Sequence, residues 1–250
     1  DLLSLKAYEQ EREIVLGGGE SILLMPVSGE KGISYGAEKE LTSEFRFAGA
    51  TDNNLTLDMV QISFDGVAYG EEEPLAEVFD RLLRAQYEGK LYVKYSFTVK
   101  GTGTKLALRR EKGKYLSSSL NGRALDFTES AYDFMFEEAD ISATVREGTN
   151  EYINELNFYE RPHVFWALYA PEATESVRNC LWYDTELENI YLRGDFSVNG
   201  ERALMPPAAP ERMDNLQKNG FPNFAGKVKF SAAVFGEKKR AKLKVEGDYT

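Results

Sequence analysis

Apolar and polar residues alternate along most of the chain. In "LYVKYSFTVKG" the residues Tyr92, Lys94, Ser96 and Thr98 fall on one face, and Leu91, Val93, Tyr95, Phe97 and Val99 on the other. A period of two is the mark of a half-buried strand. The same reading applies to "KLALRRE" (105–111), "NEYINELNFY" (150–159), "HVFWALYA" (163–170), "NIYLRGDFSV" (189–198), "GKVKFSAAVF" (226–235) and "AKLKVEG" (241–247). Short strands separated by Gly, Asn and Pro predict an antiparallel sandwich. One helix interrupts them, in "EEEPLAEVFDRLLRAQYEG", where Leu75, Val78, Phe79, Leu82, Leu83 and Tyr87 recur at helical spacing. Glu71 to Glu73 and Pro74 stand at its start and Gly89 marks its stop, so the stripe predicts a lid packed on a sheet.

Turn chemistry divides the rest. Asn121-Gly122 and Asn199-Gly200 predict tight hairpin turns, because both residue types tolerate positive φ. "GTGTK" (101–105) lacks the spacing of a phosphate loop and sits between strands, which predicts a hairpin loop. Residues 205–226 carry three prolines in their first six positions and read as a linker, with a second sheet region beginning near Phe221. The organisation expected is a leading strand or linker over 1–34, a sandwich over 35–204, and a linker with the start of a second sandwich over 205–250. Both ends read as cuts from a longer protein.

Composition narrows the function classes. Apolar residues make up 42% and charged residues 28%, the balance of a folded globular protein, and no run approaches the roughly 20 apolar residues of a membrane span. With 30 basic against 41 acidic residues the net charge is −11, which disfavours a nucleic-acid surface and suits neutral or cationic partners. The lone Cys180 rules out an intrachain disulfide and is expected to be a small buried residue. His163 is the sole histidine, so a multi-histidine metal site is excluded. "GATDNN" (49–54) offers oxygen ligands of the kind calcium takes but lacks the twelve-residue loop pattern, so turn chemistry is expected there and no cofactor. Compartment is not legible.

Several pieces taken in order carry a family likeness: "NNLTLDMVQIS" (53–63), "KYSFTV" (94–99), "SLNGRALD" (119–126), "ADISATVREGTNEYI" (139–153), "LENIYLRGDFSV" (187–198) and "NGFPNFAGKVKF" (219–230). Together they resemble the C-terminal β-sandwich region of bacterial α-L-rhamnosidase-like glycoside hydrolases, with its galactose-binding-like, family 2 sugar-binding-like jelly roll. The resemblance implies an all-β antiparallel jelly-roll sandwich with one short helix and part of a second sandwich. It implies a non-catalytic accessory role beside a catalytic domain of the same parent, which would hold the catalytic carboxylates. Gly194 and Asp195 would then mark a bulge or bend.

Glycoside hydrolysis needs two carboxylates at a set separation. Picking Glu188 with Asp195, or Glu137 with Asp140, would be arbitrary, so no catalytic residue is assigned. Sugar binding asks for aromatic faces flanked by hydrogen-bonding side chains. The region from Trp166 to Tyr191 supplies such types, including Tyr169, Asn179 and Glu186, and the candidate contacts are Trp182, Tyr183, Arg178 and Asp184. Both tryptophans are nevertheless expected to be buried, as large aromatics in sandwiches usually are. The rivals are an autonomous carbohydrate-binding module and a structural or cell-surface interaction domain.

Overall fold

The computed structural model describes residues 46–103, 105–131, 133–210 and 215–231. The expectations for 1–34 and for "AKLKVEG" lie outside the described residues. In chain order the elements are β1 (Arg46–Ala50), β2 (Asn53–Leu57), β3 (Met59–Ser63), β4 (Glu73–Pro74), α1 (Leu75–Arg84), β5 (Gly89–Val99), β6 (Leu106–Glu111), β7 (Tyr115–Leu120), β8 (Arg123–Ala124), β9 (Thr128–Glu129), β10 (Phe136–Asp140) and β11 (Gly148–Phe158). Then come α2 (Pro162–Tyr169), α3 (Glu175–Asn179), β12 (Ile190–Gly194), β13 (Ser197–Val198), β14 (Leu204–Met205) and β15 (Val228–Ser231).

The strands form an antiparallel β-sandwich. One sheet runs β2-β12-β6-β10-β9. The other is built on the eleven-residue antiparallel partners β5 and β11, with β7 and β8 beyond β11, and with β3 and β14 on the far side of β5. The pair β14–β5 is parallel, through Leu204 and Val99. A separate ribbon pairs β1 with β15, its register shifting between Phe47 and Gly49 as at a β-bulge.

Alternation fixes which face goes inward. Leu91, Val93, Tyr95, Phe97 and Val99 of β5 are buried, and so are Tyr152, Leu156 and Phe158 of β11. Leu55, Leu57, Leu106, Leu108, Ile190 and Leu192 meet them from the five-stranded sheet. A slip of one residue would expose each set, so the burial pattern pins the register.

A charged residue also turns in between the sheets. Arg110 of β6 points inward at 6% exposure, its guanidinium 3.8 Å from the Tyr115 ring centre and 3.7 Å from that of Phe127. Its Nε donates to Glu137 at 2.7 Å, and Nη1 donates to Ser118 Oγ, Tyr152 Oη and Asn154 Oδ1 at 2.5, 2.8 and 2.8 Å.

α1 packs through Leu75, Val78, Leu82 and Leu83, as the stripe predicts. Its stop differs from expectation. Gln86 adopts the left-handed conformation (φ 47°), with Tyr87 N donating to Leu82 O and Gln86 N to Leu83 O. This is the Schellman arrangement with Gln where Gly is usual.

Asn121 (φ 53°) and Gly122 (φ 80°) form the predicted tight turn. At Asn199-Gly200 the turn is wider: Asn199 Oδ1 accepts from Glu201 N and Ala203 N, and the positive φ falls on Arg202. The Asp140–Asn150 corner closes with Ser142 N donating to Asp140 and the buried Asn150 bridging Arg146 and Gly148.

The largest departure is "HVFWALYA", which is helix α2. A continuous apolar run is ambiguous between strand and helix, and Pro162 at the first helical position settles it by supplying a preset φ. In "GATDNN", Asp52 pairs with Lys105 and Arg193, and Asn53 donates to the carbonyls of Phe196 and Gly220. These side chains serve turn and strand anchoring.

Candidate functional site

The segment between β11 and β12 leaves one sheet and enters the other, and its base is clamped. The buried Glu160 carboxylate accepts from Asp184 N at 2.8 Å and Thr185 N at 2.9 Å. Thr185 Oγ1 donates to Tyr159 O at 2.9 Å. Burial holds the Glu160 carboxyl above its ordinary range, while the two N–H donors pull the other way.

Arg161 completes the clamp. It donates to Trp182 O at 2.8 Å and pairs with Asp184 at 3.2 Å. Asp184 is therefore an anchor of the loop. Arg178 of α3 donates to Ala167 O and Ala170 O, satisfying carbonyls at the end of α2. Of the four candidate contacts, these two have side chains engaged with the protein.

The other two sit differently. Trp182 is 78% exposed and Trp166 39% exposed, which corrects the expectation that both are buried. Trp166 donates to Glu172 and stacks on His163 at 5.5 Å, tying its ring to neighbours on its own excursion. Cys180 is exposed as well, because α3 buries none of its residues and Cys180 stands at its end. Tyr183 turns toward α1, its ring edge-on to Phe79 at 5.2 Å, and Phe79 in turn meets Phe158 at 6.1 Å.

Beside these rings is a cavity of about 240 Å³, lined by Ala76, Phe79 and Tyr183 on the apolar side and by Glu186, Glu188 and Asn189 on the polar side. Carboxylate oxygens of Glu186, Glu188 and Glu111, the last residue of β6, all lie within 4.8 Å of one another. Burial first, and then the charges of Glu111 and Glu186, push the Glu188 carboxyl upward. The Glu188 carbonyl accepts from Tyr95 Oη at 2.9 Å, which fixes this edge of the cavity to the core.

The raised Glu188 carboxyl has a readable consequence. Its folded pKa lies above the ordinary 4.5, so its contribution to stability is fully present below that value and is lost as pH rises through the folded one. Glu188→Gln is expected to stabilise the protein at roughly pH 7 and to have little effect at roughly pH 4, read as urea midpoints at the two values. Equal effects at both would contradict the assignment.

Phe79 and Glu188 were not among the candidate contacts. Phe79 read as part of a core stripe, and Glu188 as one acid among many. The signal in the sequence is Glu-Asn directly before the strand "IYL", where the side chains stand at a sheet end.

No family model matches the chain, and no curated protein does. Solved structures do, at low identity. β-Glucuronidase from Ruminococcus gnavus in complex with N1-substituted uronic isofagomine is 17% identical, over 60% of this chain and 32% of that one, with a TM-score of 0.38. The same enzyme in complex with uronic isofagomine is 18% identical over 58% and 29%, with a TM-score of 0.40. The Ruminococcus gnavus β-glucuronidase alone is 18% identical over 60% and 30%, with a TM-score of 0.37. This chain thus spans about a third of the length of the solved structures it matches. These structures are bacterial glycoside hydrolases named for glucuronide rather than rhamnoside chemistry, and the sandwich described above rests on strand pairing independently of them.

Proposed function

We propose that residues 46–231 form a non-catalytic, carbohydrate-contacting β-sandwich, the accessory region of a larger glycoside hydrolase. The observation that carries this reading is the cavity at the end of α1. Pockets for drug-sized ligands run to about 300–1,000 Å³, so a cavity of about 240 Å³ is matched to a single sugar ring. Its two aromatic rings offer faces and edges to C–H surfaces, and its carboxylates and amide offer hydrogen-bonding groups to hydroxyls. The clamp through Glu160, Arg161 and Thr185 holds the loop in place before a ligand arrives, which lowers the entropy cost of binding.

The galactose-binding-like jelly roll and the α-L-rhamnosidase-like parent are the finer form of the same proposal, supported by the spaced turn and strand signatures. The accessory role is supported by the family resemblance, in which the catalytic carboxylates belong to another domain of the parent. The test is calorimetric titration of the 250-residue chain with mono- and oligosaccharides, alongside turnover assays on aryl glycosides. Saturable binding without turnover is the expected outcome. Turnover lost in Glu188→Gln would replace the accessory reading with a catalytic one, and silence toward every glycan would favour an interaction domain.

A further inference from the structure

We infer that Asn199-Gly200 is a spontaneous modification site, at which the folded chain converts asparagine to aspartate and isoaspartate with water as the co-reactant. The sequence holds three Asn-Gly pairs, at 121–122, 199–200 and 219–220. In such a pair the glycine nitrogen can reach the asparagine Cγ, because no glycine Cβ crowds the approach. The N–Cγ bond forms and the Cγ–Nδ2 bond breaks. The amide leaves as ammonia, taking the proton from the glycine nitrogen. Water then opens the five-membered imide, giving aspartate when it attacks Cγ and isoaspartate when it attacks the main-chain carbonyl.

The fold separates the three pairs by where each amide's hydrogen bonds go. Asn199 Oδ1 accepts from Glu201 N at 3.0 Å and from Ala203 N at 2.9 Å. Negative charge gathers on this oxygen as the nitrogen attacks, so the two N–H groups act as an oxyanion hole does. The leaving Nδ2 has no partner among the described residues. Gly200 is exposed, its φ is not positive, and nothing lies within 4 Å of the place a Cβ would take.

The other two amides are tied down. Asn121 Nδ2 donates to Asn150 Oδ1 at 2.8 Å and to Thr144 O at 3.4 Å, and its Oδ1 accepts a single N–H, from Glu151 at 3.1 Å. Asn219 Nδ2 donates to Asn215 O at 2.6 Å, and Gly220, at φ 93°, lies against Ser197 and Val198. Each must give up hydrogen bonds before its amide can leave, and Asn199 gives up none from its nitrogen. The reactive pair stands in the connection from β13 to β14, which closes with Asn199 N donating to Ala203 O. Isoaspartate adds a carbon to the main chain inside that turn.

The experiment is peptide mapping by mass spectrometry of the full chain, aged at mildly alkaline pH both folded and in guanidinium chloride, with aspartate and isoaspartate read separately. In the folded chain Asn199 should convert on the order of tenfold faster than Asn121 and about fivefold faster than Asn219, following the bonds each leaving amide gives up. In denaturant the three rates should fall within about threefold of one another, because the neighbours that distinguish them are gone. Gly200→Ala should suppress conversion at Asn199 and leave the other two pairs as they were. Conversion at Asn121 or Asn219 as fast as at Asn199 in the folded chain overturns the inference. So does an Asn199 that converts only in denaturant, since its turn would then protect it. A preference for Asn199 that persists in denaturant also overturns it, because the fold would not be its source.

Discussion

Replacing Arg110 by alanine should destabilise the protein by about 3–5 kcal/mol, more than any surface substitution. The reason lies in what is left behind. Glu137, whose side chain is 20% exposed, loses the Nε–H donor at 2.7 Å that compensates its charge. Tyr152, Asn154 and Ser118 lose a shared donor, although Ser118 and Tyr152 still donate to Asn154. The space between the Tyr115 and Phe127 rings becomes a void.

A second variant separates charge from packing. Arg110→Met fills much of that space and should still destabilise, because Glu137 remains uncompensated. Adding Glu137→Leu should recover most of the loss, since a buried ion pair replaced by apolar groups is often neutral. Urea denaturation of the three proteins measures this directly. A double variant no more stable than Arg110→Ala would mean that the rings and hydroxyls, rather than the ion pair, set the cost.

The second large effect is expected at Gly194. A Cβ built there would lie 2.2 Å from Lys105 O and 3.0 Å from Leu106 Cα, backbone atoms of the residue directly before the paired strand β6 and of its first residue. Neither can move aside as a side-chain end would. Asp195 N donates to the same Lys105 carbonyl at 2.9 Å, and Gly103 N to Asp195 O, so the bend is laced to the neighbouring loop. Gly194→Ala should therefore sit at the severe end of overpacking, at least about 3 kcal/mol. Gly200→Ala is the matched control, because nothing lies within 4 Å of its added Cβ and its φ is not positive. It should stay within about 0.5 kcal/mol of the parent. Comparable losses at both glycines would show that the two strands separate more easily than their packing indicates.

These two positions show what was legible beforehand. Gly194 announced a bend by its type, since a glycine in an apolar strand signals close backbone approach. Arg110 announced nothing. In "LALRRE" two arginines stand side by side, and which one turns inward depends on register against β10, where Glu137 sits opposite Arg110 and Glu138 opposite Arg109. The long strands β5 and β11 were readable because period two persists over eleven residues in each. "HVFWALYA" was not, because eight mostly apolar residues carry no period that separates strand from helix.

The site was half legible for a similar reason. Tyr183 and Glu186 stood out as residue types suited to sugars. Phe79 and Glu111 reach the same place from a helix and a strand far away in the chain, and only the packing of α1 and β6 against the loop brings them together. Trp182, the most conspicuous residue by type, is exposed to solvent, and only its backbone carbonyl is held, by Arg161.

The measurement that tests the central claim most directly is chemical-shift mapping of backbone amides in the full chain during titration with a binding sugar. Perturbations centred on Ala76, Phe79 and Tyr183 to Asn189, lost in Tyr183→Ala while the distant sheet amides stay in place, are the predicted result. Saturable shifts centred elsewhere, or none at millimolar sugar, would contradict the assignment of the cavity as a carbohydrate site.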